Sequence, residues 1–291
     1  MHEVFAECVS VADGTDLRQG DVFVFRDEDG VRDLWQQIGI VVTADCDLAN
    51  NKHGGILSYV PVLSLRNYLA QVVLPKLAVD QRARSLNRMT EAIKQAESAG
   101  GVADGLSARA IEEFATMGGG MRELIAHLGR ISTDQEGRIA DAITEIEVYD
   151  RVPTLSSYEE IFSALVTIIR PTKRKTAEEL LVAELRNRLD NLPGDAFFIS
   201  ALDDSRRGGY VAYLRLVREL RSHQVSTTYF KRYGRGVVAE RISRLQAPYL
   251  YRLTQLLAEV FASIGLSEDY EAARAAVFET GLLPMTSEVP L

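Results

Sequence analysis

Gly39–Gly55 reads GIVVTADCDLANNKHGG, and its interpretation decides where the fold begins. The apolar run Gln36–Thr43 is rich in β-branched residues, which predicts a strand covered on both faces. NNKHGG at Asn50–Gly55 predicts a loop. Beyond it, Ile56–Leu63 (ILSYVPVL) predicts another strand, with Pro61 marking a sheet edge or a bulge. Upstream, Asp21–Phe25 (DVFVF) is short and β-rich, and DEDG at Asp27–Gly30 is a turn signal. Short strands joined by tight turns predict a small barrel or a curled sheet over residues 1–65.

The period then changes. Residues 66–192 carry helical spacing interrupted by glycine clusters at Gly100-Gly101 and Gly118–Gly120. Leu86, Met89 and Ile93 share one face of Arg82–Ala96, and shorter pieces follow at Leu106–Met117 and Met121–Gly129. Ser157 with Glu160, and Thr176 with Glu179, are capping boxes that open helices ending near Ile169 and Asn191. β character returns over 193–291. Ala196–Ala201 and Gly209–Val217 predict a hairpin, and Arg235–Glu240 a further short strand. A helix beginning near Pro248 carries Leu253, Leu256, Leu257, Val260, Phe261 and Ile264 on one face, and Glu268–Thr280 predicts a shorter one. The two β blocks read either as separate small barrels or as one sheet interrupted by an insertion, and the second is favoured because each block alone, with about three strands, is marginal for independent stability. The expectation is therefore an α+β fold: an SH3-like barrel or curled sheet at 1–65, interrupted by a helical insertion at 66–192, and completed at 193–291 by a hairpin and C-terminal helices.

The 291 residues are 46% hydrophobic and 25% charged, the balance of an ordinary globular chain. No apolar run approaches a bilayer's thickness, and MHEVFAECVS lacks the pattern of a secretory leader. With Cys8 and Cys46 its only cysteines, the chain is expected in the cytoplasm with reduced thiols. The net charge of −8 argues against a general nucleic-acid coat. The charge is nonetheless uneven: Asp203–Arg244 holds ten Lys/Arg against four Asp/Glu, a surplus of +6 that leaves −14 on the remainder.

Two stretches could carry chemistry. Asp45 and Asp47 flank Cys46 where a strand surfaces. On an extended segment both carboxylates would share a face and could hold a divalent ion or share a proton, as in a metal-dependent hydrolase or nuclease. Cys46 could act as a nucleophile with His53 as base, but acidic neighbours raise a thiol's pKa, the wrong direction. The simpler expectation is that Cys46 packs inward while Asp45 and Asp47 bond backbone N–H groups of the following turn. His2, His53, His127 and His223 are scattered without ligand spacing, so no metal or cofactor is expected. The second stretch mixes bases and aromatics: Arg206, Arg207, Tyr229, Lys231, Arg232, Tyr233 and Arg235. It suits a protein partner or the chain's own acids, with single-stranded nucleic acid as the alternative.

Thr43-Ala44-Asp45-Cys46-Asp47-Leu48 preceded by Gly20-Asp21-Val22, together with Arg244-Leu245, Pro248-Tyr249, Leu253, Leu256, Phe261 and Gly265-Leu266, resembles a group of bacterial proteins with a small SH3-like barrel. Some of them are encoded beside ATPases or signalling proteins in phage-defence gene clusters. The resemblance misses the helical middle and brings no catalytic residues. It implies an accessory or sensor role. The sequence therefore leads to a non-catalytic binding subunit of a bacterial assembly, with protein partners such as an ATPase or a signalling protein.

Overall fold

The computed structural model describes residues 7–26, 33–100, 105–116, 124, 131–228, 236–262 and 268–282. Within them one sheet contains β1 (Cys8–Val9), β2 (Asp21–Phe25), β3 (Ile38–Val41), β4 (Ile56–Ser64), β5 (Ala196–Ala201), β6 (Arg207–Tyr213), β7 (Arg218–Arg221), β8 (Val225–Ser226) and β9 (Ala239–Leu245). The order is β1-β9-β2-β3-β4-β6-β5, with β7 also on β4 and β8 parallel to β9. The two ends of this path nearly meet, so the sheet curls into a barrel. A side chain spans the seam: the Glu7 carboxylate accepts from Ser200 N at 2.8 Å and Ser200 Oγ at 2.6 Å. The α+β expectation with a barrel therefore holds.

The helices, in order, are α1 (Asp45–Ala49), α2 (Leu65–Tyr68), α3 (Leu74–Gly100), α4 (Ala108–Thr116), α5 (Thr133–Arg151), α6 (Tyr158–Val166), α7 (Ala177–Asp190), α8 (Ala247–Ala262) and α9 (Glu268–Leu282). A single π-helical turn, Leu69–Val73, joins α2 to α3. Both expected capping boxes form, at Ser157/Glu160 and Thr176/Glu179. A third, Ser132/Gln135, opens α5.

Four apolar clusters hold these elements. Inside the barrel, Val22, Ile40, Val60, Ile199 and Leu214 meet Leu253 and Leu256 of α8. Cys8 is buried there too, and burial pushes its thiol up to about 12. On the opposite face Phe23, Phe25 and Tyr59 form an aromatic group, Phe23 and Tyr59 standing edge-on with centroids 5.1 Å apart. Gly39 is required beside them, because a Cβ there would stand 2.5 Å from Phe23 Cζ and 2.6 Å from Tyr59 Cδ2. A third cluster joins Tyr68, Leu74 and Leu77 to Leu181, Leu185 and Val211, so it knits helices to barrel. The fourth, around Met89, Ile93, Ile111 and Ile139, belongs to α3, α4 and α5.

Asp21 is fully buried at the start of β2. Arg244 of β9, its register partner, grips it with Nε to Oδ1 at 2.6 Å and Nη2 to Oδ2 at 3.1 Å. Arg241 Nη1 adds a contact at 3.4 Å and Arg18 N one at 2.9 Å. Arg241 also donates to the carbonyls of Ala12, Thr15 and Asp16, tying down the segment before β2.

Several local expectations are corrected. Only Ile38–Val41 of the apolar run is strand, and Leu34–Gln36 ahead of it is a 3-10 turn in which Trp35 packs on Tyr213. Pro61 sits in β4, an inner strand. It falls between the stretch registered with β7, which ends at Tyr59, and that registered with β6, which begins at Val62. On its other side Pro61 is registered with Gly39 of β3, so it stands inside the sheet at the break between two pairings and not at an edge. The strand expected at Arg235–Glu240 runs instead from Ala239 to Leu245, where pairing with β2 places it. Phe261 is 58% exposed, because α8 turns its Leu253–Leu256 side to the barrel. Met121–Gly129 (save Leu124), Gly118–Gly120 and Ile264 lie outside the described residues.

Candidate functional site

Asp45, Cys46 and Asp47 are not extended: they form the first turn of α1. The acids therefore do not share a face by strand alternation, and Cys46 is exposed rather than packed inward. Asp45 Oδ1 accepts from Gln19 N at 2.7 Å, a bond back to the segment before β2 rather than to the following turn. Two acids in the first turn suit the positive end of the short helix. His53 Nδ1 lies 3.2 Å from the backbone carbonyl of Asp47. A carbonyl can only accept, so Nδ1 carries the proton and is engaged with the backbone. Cys46 Sγ contacts Asp47 Oδ1 at 3.7 Å. Among the described residues no group of three or more His, Cys, Asp or Glu is placed to hold a metal ion.

In the β5–β6 turn, Arg206 pairs with Asp203, and Arg207 Nη2 donates to Asp204 Oδ1 at 3.0 Å. For Asp203, burial opposes the charged form, but hydrogen bonds from Ser205 and from the Arg206 backbone and guanidinium outweigh it. They hold the carboxyl below its ordinary range. These two arginines thus serve their own turn, as a loop pairing locally would. Tyr229, Lys231, Arg232, Tyr233 and Arg235 lie outside the described residues.

A different feature stands out where the barrel meets the helices. A groove of about 490 Å³ opens between α7, α2 with its π turn, and β5. Leu65 and Leu69 form one wall, and Leu185, Leu189 and Leu192 the other. Tyr158 and Phe198 close it, with Val182, Arg186 and Asp190 along the α7 rim. Phe198 and Val182 are 40% and 43% exposed, which makes them apolar anchors facing water. The volume lies in the range of ligand pockets and the lining is mostly apolar, and π turns recur at functional places in helices. Beside it, Arg66 pairs with Glu159 and lies 5.7 Å from the centre of the Tyr158 ring. Sequence reading missed this site because its walls come from four distant segments. The one signal available was Val182, an apolar residue on the otherwise polar side of α7.

Compared with protein-family models, curated proteins and solved structures, the chain matches none. Among the described residues no helix is long and apolar enough to cross a membrane.

Proposed function

We propose that this chain is a non-catalytic binding subunit that engages a protein helix through the groove between α7 and β5. The observation that carries this reading is the groove itself: leucine walls, two exposed apolar anchors and one charge of each sign on the rim. Helix-in-groove recognition uses such apolar seats flanked by polar rims, and well-packed aromatic anchors dominate the energy of such contacts. The engagement of Asp45 with the backbone and of Arg206 and Arg207 with their own turn supports structural work for those residues. The resemblance described above favours a bacterial assembly, with an ATPase or a signalling protein as a further member.

Site-specific photocrosslinking tests it. Phe198→p-benzoylphenylalanine should give one stoichiometric protein adduct in the source cells. The same group at Tyr251, which is 71% exposed on α8, should not. No adduct from 198, or the same adducts from both positions, removes the groove as the binding site. Mass spectrometry of the adduct separates a second copy of the chain from a different protein.

A further inference from the structure

The charges along α7 are not distributed at random. Glu179 caps its own helix, Glu184 pairs with Arg188, and Arg188 reaches Asp80 on α3. Those side chains are committed inside the molecule. Glu178, Arg186 and Asp190 are all exposed, and none has a hydrogen-bond or ion-pair partner among the described residues. They lie with Val182 on one i, i+4 ridge. Glu178 and Arg186 stand one step either side of Val182. Asp190 stands one step beyond Arg186 on the same ridge, while the exposed basic run Lys173-Arg174-Lys175 precedes the Thr176 cap and lies off it. The sign of charge therefore inverts about Val182. Asp190 ends α7, where the helix dipole disfavours an acid, so a cation brought there from outside relieves an existing mismatch.

A ridge whose charges invert about an apolar centre is complementary to a second copy of itself run antiparallel. We infer that the chain forms a twofold dimer in which α7 packs on α7 of a second copy, Val182 meeting Val182 on the axis. Glu178 of each copy then faces Arg186 of the other. Ridges of i±4 spacing interdigitate at a crossing angle near −50°. Such an isologous contact closes with two subunits, each contact occurring twice. The partner helix lies across the mouth of the groove, and Val182, Arg186 and Asp190 are the rim residues it covers. This inference rests on the binding reading above and names the occupant.

Sedimentation equilibrium of the full chain tests it. The wild type should be a dimer. Arg186→Glu or Glu178→Arg alone sets like charges face to face twice, and should weaken the dimer about tenfold or more. The double variant Glu178→Arg/Arg186→Glu should restore it. A monomeric wild type, or a double variant no better than the singles, overturns the inference. A readout independent of charge uses Val182→Cys in a Cys46→Ser background. Mild oxidation should link two copies through position 182, whereas Tyr251→Cys should stay unlinked; failure at 182 likewise overturns the dimer. If the dimer fails while the crosslink from position 198 captures a different protein, the groove reading stands and only its occupant changes.

Discussion

In the barrel, Asp21 is wholly enclosed between Arg244 and Arg241, whereas in the helical segment Arg66–Glu159 and Arg170–Asp141 lie largely in water. The same kind of pair has different consequences in the two places. Removing one partner of an enclosed pair strands the other charge, while a solvated pair exchanges its partner for water at little cost. The barrel assembles strands from both ends of the chain and is tied by contacts that must all be made together. The helical segment has apolar clusters of its own, but its caps and surface pairs can be lost singly.

The sharpest way to break that contrast is Asp21→Ala, which leaves two arginines facing an empty site. We expect a loss of about 3–5 kcal/mol in urea unfolding, against about 0–1 kcal/mol for Arg170→Ala. Equal losses would erase the distinction. Next in size is Gly39→Ala. Its new Cβ would press on Phe23 and Tyr59, so strain of about 1–3 kcal/mol is expected from overpacking, read as a lower midpoint at unchanged slope. A change within error would mean that the aromatic group yields easily and the barrel is looser than the distances imply. Smallest is Ser157→Ala, which deletes the cap of α6 and should cost about 1 kcal/mol. If it cost as much as Asp21→Ala, the helical segment would not be locally held.

The same division explains what could be read from the residues alone. Ser157/Glu160 and Thr176/Glu179 are visible because a capping box is written within four consecutive positions. Six of the nine strands described are visible as short apolar runs, although their ends are not; β1, β7 and β8 are too short or too polar to show. Ala239–Leu245 is fixed by pairing with β2, which no local pattern encodes. The Asp21–Arg244 pair joins residues at opposite ends of the chain, so neither short motif discloses its partner. Asp45–Asp47 misled because a five-residue helix is too short to show a period, and a strand exit looks the same. Cys46 misled because cysteine's usual burial gives way here to an exposed helical turn. The groove was invisible for the most general reason: concavity is a property of packed elements, not of any one of them.

The junction at Ser64 couples the two halves directly. β4 passes into α2 with no intervening loop, the Ser64 hydroxyl accepting from Asn67 N at 3.3 Å, and the π turn carries the helix on into α3. β4 is also the strand to which β3, β6 and β7 are all registered. Strand and helix thus run out of the barrel wall as one continuous piece of backbone, so a shift of β4 would carry Leu65 and Leu69 at the edge of the groove with it.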